Sequence, residues 1–529
     1  MLILQSISYL HPNKDPLFNH LHFSLQKGEK VALIGNNGTG KSTLLKIIAG
    51  QLIPASGEIK SDADPYYIPQ VFGQYNHLTI AQALGVHERL QALQQILQGN
   101  VSEANMDILN EDWTIEERCN EALEQWGLSG FNMNQVMHTL SGGQKMKVFL
   151  AGIHIHQPEL VLMDEPGNHL DLAGRNQLYD FISHTSKTLI IVSHDRKLLN
   201  LLNTMLELSA EGITVYGGNY DFYKEQKQIA DNAFQDQLQG KEKALRKAKE
   251  KERETVERQQ KLDARGKAKQ EKAGVARIMM NTLRNQAENS TSKLKSAHAD
   301  KISGISQELQ RLRSAVPDLD KMKLGFDDSD LHKGKLLFKS EGLNFNYGPG
   351  NIWKENLPLS IASGERIALK GSNGSGKTTL INILLGNLKA GEHPVYSAIN
   401  HAVYIDQEYS LINNQLKVYE QAQLFNTGLL QEHEIKIRLN WFLFGKDDWD
   451  KPCAALSGGE RMRLLLCCLT IADQSPDLIV LDEPTNNLDI QNIEMLTHAV
   501  NHYKGTLIVV SHDAYFLEQV GVTKVIELK

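Results

Sequence analysis

Two eight-residue stretches of this chain have the composition to grip phosphate. The first is Gly35-Asn36-Asn37-Gly38-Thr39-Gly40-Lys41-Ser42, with Thr43 next; the second is Gly371-Ser372-Asn373-Gly374-Ser375-Gly376-Lys377-Thr378, followed by Thr379. Each lies between an apolar, strand-like run and a helix-forming one. The spacing G-x-x-x-x-G-K-[ST] lets a turning backbone aim successive N–H groups at phosphate oxygens, where the start of a helix adds a favourable dipole. Lys41 and Lys377 would then meet the β- and γ-phosphates, and the hydroxyls of Ser42 and Thr378 would hold Mg²⁺. A pair of carboxylates also closes an apolar strand in each half, Asp164-Glu165 after Leu160-Val161-Leu162-Met163 and Asp482-Glu483 after Leu478-Ile479-Val480-Leu481. An acid at such a strand end is poor core material. Asp164 and Asp482 are placed to bind Mg²⁺ through water, and Glu165 and Glu483 to orient and polarise a water beside a γ-phosphate.

The elements that must position these groups come in two copies. Ser141 in LSGGQ corresponds to Ser457 in LSGGE, Asp164 to Asp482, and His194 in IVSHD to His512 in VVSHD, the last two pairs at one offset of 318 residues. Within each copy, strand-like apolar runs alternate with helical stretches, which predicts an α/β unit with a largely parallel sheet. Ligands of such sheets gather at the carboxyl ends of the strands, where Lys41, Asp164 and His194 would lie. The glycine-rich Ser141-Gly142-Gly143-Gln144 and Ser457-Gly458-Gly459-Glu460 each precede a helix-forming run and can offer hydroxyl and N–H groups to an anion. The first copy is longer by about 20 residues between Gln70 and Leu140, read as a helical insertion at about 86–115. Three domains are expected, at 1–222, 223–335 and 336–529.

At 529 residues with 41% hydrophobic composition, the chain can bury sizeable cores in two or more domains. Its four cysteines form no C-x-x-C pair and read as reduced core thiols. No stretch approaches the roughly 20 apolar residues needed to cross a bilayer, and the start lacks a basic region before its apolar run. The expected compartment is the cytoplasm. The formal net charge of −7 would argue against a nucleic-acid partner if it were evenly spread. It is not: residues 224–313 carry 22 Lys and Arg against 13 Asp and Glu, a net of +9, leaving −16 for the rest.

That basic segment reads as a helical hairpin. A proline-free run from Lys224 to about Leu262 predicts a helix of roughly 55 Å at 1.5 Å per residue. A polar stretch with Gly266, Gly274 and NQAENSTS would follow, and a second helix from about Lys293 to Val316. Ile302, Ile305, Leu309, Leu312 and Val316 make an apolar seam that Phe234, Leu238 and Leu245 could meet. The tip, 258–295, has 10 basic and 3 acidic residues and no aromatic, so it suits phosphate backbones read by charge and shape and not by base stacking.

The ordered series of P-loop, glutamine, LSGGQ, Asp-Glu strand end and histidine, present twice, resembles ATP-binding cassette domains. The resemblance implies that Tyr9 and Tyr347 stack on adenine, and that Gln70 and Gln407 approach Mg²⁺ and the attacking water. His194 and His512 would bond the γ-phosphate and the neighbouring glutamate. It also implies pairing in trans: Ser141, Gly142, Gly143 and Gln144 would complete the site built on Lys377, and Ser457, Gly458, Gly459 and Glu460 the site built on Lys41. Asp171 and Asp489 would cross-link the two. Two ATP with Mg²⁺ would then sit between the halves of one monomeric chain. The first copy departs from D-E-P-T-N at Gly167, where the second has Thr485.

Two cassettes, the lead-in YGGNYDFYKEQK and a charged hairpin between the halves resemble the ABC-F family of translation factors. In that family the ATP-bound protein occupies the ribosomal E site while the hairpin reaches toward tRNA and rRNA at the peptidyl-transferase centre. The expected activity is an ATPase coupled to ribosome binding and release. Drug resistance through ribosome protection stays open, as do two readings from other classes, the ATPase of a membrane transporter and a DNA-repair ATPase.

Overall fold

Five parallel strands form the floor of each half because their residues are apolar on both faces, which suits a sheet covered on both sides. In the first half the sheet order is Pro65–Ile68, Leu160–Asp164, Thr188–Val192, Lys30–Ile34, Thr204–Ser209, with Gly212–Tyr216 added antiparallel at the edge. The second half repeats the parallel five as Ala402–Ile405, Leu478–Asp482, Thr506–Val510, Arg366–Gly371, Lys524–Leu528. A small antiparallel sheet accompanies each, with Leu2–Leu10 central in one and Leu336–Leu343 in the other. The computed structural model describes residues 1–11, 15–209, 211–272, 277–314, 332–348, 350–372, 374–389, 394–486 and 488–528. Asn373 and Val316 lie outside them.

The cores confirm the α/β reading. In the first half Val31, Leu33, Leu162, Ile190 and Val192 of the sheet pack with Leu44, Leu45, Ile47 and Ile48 of the helix Lys41–Ile48. In the second, Ile367, Leu369, Val480 and Ile508 pack with Leu380, Ile381 and Leu384 of Lys377–Leu384. The helix that follows each P-loop is thus pinned by its apolar face, and its amino end is left at the sheet's carboxyl edge. The extra length of the first half contains His87–Leu97 and Glu103–Leu109, whereas the next helix, Ile115–Gln125, has a counterpart in Glu432–Trp441. All four cysteines are buried free thiols.

The chain divides into a unit of Met1–Asp221 with Met322–Lys529, which holds both cassettes, and a unit of Phe222–Lys321. The second unit departs from expectation in its helix lengths. One helix runs Tyr220–Lys272, 53 residues or about 80 Å, and the other Arg277–Ser314. The expected polar stretch around Gly266 and NQAENSTS is helical instead. A single glycine costs a helix only about 1 kcal/mol relative to alanine, and the surrounding Ala, Lys, Gln and Arg are strong helix formers. The expected seam is present where side chains are described: Leu309 is buried and Ile302, Ile305, Leu312, Phe234, Leu238 and Leu245 are half-buried. Lys241–Glu308 at 2.6 Å and Arg313–Glu242 at 2.7 Å tie the two helices antiparallel.

Candidate nucleotide sites

Glycine conformations shape both P-loops. Gly38 and Gly40 have φ of 84° and 96°, and Gly374 and Gly376 have 82° and 88°, in the left-handed region that other residues adopt at a cost. Close approach excludes side chains too: a Cβ on Gly35 would come within 2.4 Å of Leu208 O, and one on Gly371 within 2.4 Å of Ser375 Oγ. Neither following helix has a side-chain N-cap, so its first N–H groups point into the loop with no competing acceptor from the cap. Lys41 Nζ donates to Gly35 O and Asn36 O at 2.6 and 3.0 Å, and Lys377 Nζ to Gly371 O and Ser372 O at 2.8 and 2.9 Å. Both ammonium groups sit over the loops whose N–H groups would cradle phosphate. Burial lowers the Lys41 pKa, while Glu165, Asp489 and Asp164 oppose the shift.

The strand-end aspartates occupy the same place in both copies, and Asp164 is buried where Asp482 is half-buried. Asp164 is 1% exposed and its Oδ1 is buried with no hydrogen-bond partner. Burial raises its pKa against hydrogen bonds from Ser42 and Tyr67. A buried, unsatisfied carboxylate oxygen beside a serine hydroxyl fits a hard cation that takes most of its ligands from phosphate and water. Among the described residues no cluster of three or more His, Cys, Asp or Glu could hold a metal alone, so one carboxylate and one hydroxyl would serve Mg²⁺ only together with a nucleotide. When bound, Mg²⁺ would neutralise charge on the β- and γ-phosphates.

Glu165 and Glu483 stand at φ of 51° and 47°, a left-handed backbone costing a non-glycine residue about 1–2 kcal/mol. Glu165 N donates to Val192 O at 2.9 Å and Glu483 N to Val510 O at 2.8 Å, which fixes the kink to the neighbouring strand. His194 Nε2 is 3.3 Å from Glu165 Oε1, yet Oε1 and His194 Nδ1 are buried without a hydrogen-bond partner. His512 Nε2 is 3.5 Å from Glu483 Oε1. Burial pushes the Glu165 carboxyl up to about 8 and Glu483 up to about 7, and drives His194 down to about 3. Each histidine in this state is a neutral imidazole, and the orphaned atoms are poised for an anion and a water.

Tyr67 and Tyr404 are groups that the sequence reading missed. Their hydroxyls donate to Asp164 Oδ2 at 3.3 Å and Asp482 Oδ2 at 2.7 Å. A visible signal existed, because each tyrosine lies three residues before the expected glutamine, Gln70 or Gln407, in both copies. Tyr9 packs its ring 6.3 Å from Phe18, which lines the space a Cβ at Gly40 would enter. Tyr347 is exposed, with its hydroxyl 3.3 Å from Thr379 Oγ1.

The two cassettes meet across these sites. Ser141 and Ser457 each cap a helix, Gly142–His156 and Gly458–Ile471, in a reciprocal capping box with Gln144 and Glu460. Ser141, Gly143 and Asp171 of the first cassette line one cavity of about 460 Å³ with Gln407, Glu483 and His512 of the second. On the opposite side Asp489 Oδ2 accepts from Asn37 N at 2.7 Å, while its Oδ1 caps the helix Ile490–His502. Asp171 likewise caps Leu172–His184.

Gly167 is not required for packing. A Cβ there would meet only Asp195 Oδ2, at 3.8 Å, and its φ is not in the left-handed region. Gly167→Ala should therefore stabilise the cassette by about 0.5 kcal/mol through the unfolded state, a rise in Tm of about 1–2 °C readable by calorimetry.

Comparison with known proteins places this geometry. A family model described as ABC transporter matches residues 18–168 and 354–486. The chain is 29% identical to "ABC transporter F family member 5" of Arabidopsis thaliana, over 96% of this chain and 72% of that protein. It is 27% identical to "Ribosome protection protein VmlR" of Bacillus subtilis, over 99% of this chain and 86% of that one. An archaeal ribosome recycling factor, aABCE1, solved in complex with the stalk protein aP1, shares the fold at a TM-score of 0.59 and 20% identity, covering 97% of this chain and 86% of that chain. Among the described residues no helix is long and apolar enough to cross a membrane. With two cassettes matched over more than half of its length, and an F family member among its relatives, the chain belongs to the ABC-F family of ATP-binding cassette proteins.

Proposed function

We propose that this protein is an ATPase that closes on two Mg-ATP between its cassettes and uses closure and hydrolysis to bind and leave the ribosome, modulating translation. The observation that carries the reading is the shared cavity in which Ser141 and Gly143 of one cassette face Glu483 and His512 of the other. A site divided between two lobes is complete only when they are together, so nucleotide can act as the joint and its cleavage as the release. Ser457, Gly458 and Gly459 would serve the Lys41 site by the same pairing. Glu165 and Glu483 would position the water, His194 and His512 the γ-phosphate, and Gln70 and Gln407 would approach the ion.

The ribosome enters through charge. The basic excess is concentrated in the hairpin, and neutralising phosphates with Lys and Arg makes affinity steeply salt-dependent. The relative VmlR, a ribosome protection protein by name, supports the same partner. With Glu165 and Glu483 both changed to Gln, the protein should co-sediment with ribosomes in ATP and dissociate in ADP. Changing Lys261, Arg265, Lys267, Lys269 and Lys272 to Gln in that background should weaken co-sedimentation about tenfold and flatten its salt dependence. No ribosome binding in ATP, or binding indifferent to the hairpin charge, would sink the reading.

A further inference from the structure

Every catalytic position of the motif series is present in both copies, yet the interface between them is not symmetric. Four residues past Asp171 stands Arg175; four past Asp489 stands Ile493. Both occupy the first turn of the helix that Asp171 or Asp489 caps. Ile493 is 1% exposed and brings only a hydrocarbon to its place. Arg175 is 8% exposed, and its Nε donates to Leu170 O at 3.2 Å, which fastens the guanidinium to its own cassette. It also lines a smaller space with His194, Asp195 and Asp513, and its charge acts on Asp513 as well as on Glu483.

A buried cation is costly unless negative charge faces it. Arg175 lines the 460 Å³ cavity together with Ser141, Gly142, Gln407, Glu483 and His512. That volume is in the ordinary range of a small-molecule site, and on the reading above it would enclose the triphosphate held by Lys377. Among the charges acting on Glu483 and on His512, Arg175 has the largest effect, ahead of Lys377. At the first site the corresponding charges on Glu165 are Asp164, Lys41 and Asp195, with no arginine among them.

We propose that Arg175 is a positioning cation delivered in trans to the second nucleotide site alone, so that the two sites are unequal in their grip on ATP although their motifs match. The inference rests on the nucleotide-binding reading of the cavity. The guanidinium adds one positive charge beside Glu483 and His512 where the γ-phosphate would be enclosed. ADP, one phosphate shorter and less negative, gains less from it. The second site would then hold ATP over ADP more strongly than the first.

The test isolates each site with Lys41→Ala or Lys377→Ala and titrates a fluorescent ATP and a fluorescent ADP by anisotropy. In the Lys41→Ala background, Arg175→Met should weaken ATP about tenfold and ADP by less than threefold, and Arg175→Lys should recover at least half of the lost affinity on a logarithmic scale. In the Lys377→Ala background, Arg175→Met should change ATP affinity by less than twofold. Equal losses in both backgrounds would make Arg175 an interface scaffold and overturn the proposal, as would no loss at the second site. Arg175→Gln, closer in shape, repeats the measurement should the Met variant fold poorly. If neither parent variant nor the unaltered protein binds nucleotide, the ATPase reading itself fails and this inference falls with it.

Discussion

Phosphate release from ATP should fall by two to three orders of magnitude when Glu165 and Glu483 are both replaced by Gln. Glutamine keeps the shape of each side chain, and the kinked backbone is held by the N–H bonds to Val192 O and Val510 O, which the substitution leaves in place. What is removed is a carboxyl whose raised pKa, near the working pH, would let it turn and polarise a water toward the γ-phosphate as a base. Charge placed where the transition state needs it accounts for about 3–4 kcal/mol in comparable sites, or a factor of about 10²–10³. Binding of the triphosphate belongs to other groups, the P-loop N–H groups, Lys41 and Lys377, so ATP affinity should stay within about threefold. A coupled phosphate assay beside equilibrium nucleotide binding separates the two. More than a tenth of the original turnover in the double variant would remove both glutamates from the catalytic role. The single variants, each leaving one intact glutamate, should retain turnover at one site.

Stability without nucleotide or metal should respond to pH through the same two residues, and in a direction opposite to that of most carboxylates. Burial raises Glu165 to about 8 and Glu483 to about 7, against about 4.5 when unfolded. Between those values the folded protein holds protons that the unfolded chain has released. Stability therefore falls as pH rises from about 4.5 to about 8, and its full contribution is present only below 4.5. Glutamine cannot titrate. Melted in EDTA, the Gln double variant and the unaltered protein should have similar Tm at pH 5. The variant should be the more stable at pH 8.5, by several kcal/mol, enough to raise Tm by roughly 5–10 °C. A Tm gap independent of pH would show that these carboxyls are not held uncharged by the fold.

Both outcomes draw on a property that chain order alone does not reveal. Asp164-Glu165 and Asp482-Glu483 are legible as strand-end carboxylates, but their burial is produced by strands, helices and a second cassette brought in from elsewhere in the chain. The left-handed backbone at each glutamate has no glycine to announce it, since the neighbouring strand's carbonyl enforces it. Helix ends were similarly under-read in the hairpin. Gly266 and a run of Asn, Ser and Thr suggested a break, whereas a 53-residue helix spreads such small local costs over many intact turns.

The amino-acid order by itself determined that there are two cassettes, where each P-loop, signature serine, acid pair and histidine falls, and that the positive charge is gathered between the copies. It could do so because glycine spacing, apolar periodicity and sign of charge are properties of neighbours in the chain. The tertiary structure alone decided which groups meet: Asn37 with Asp489 over a separation of 452 residues, Tyr67 and Tyr404 on the strand-end aspartates, Arg175 and not Ile493 beside a glutamate of the other cassette. Such meetings depend on how two folded surfaces fit together. No local pattern records that fit, because the energy that selects it is shared among contacts from distant parts of the chain.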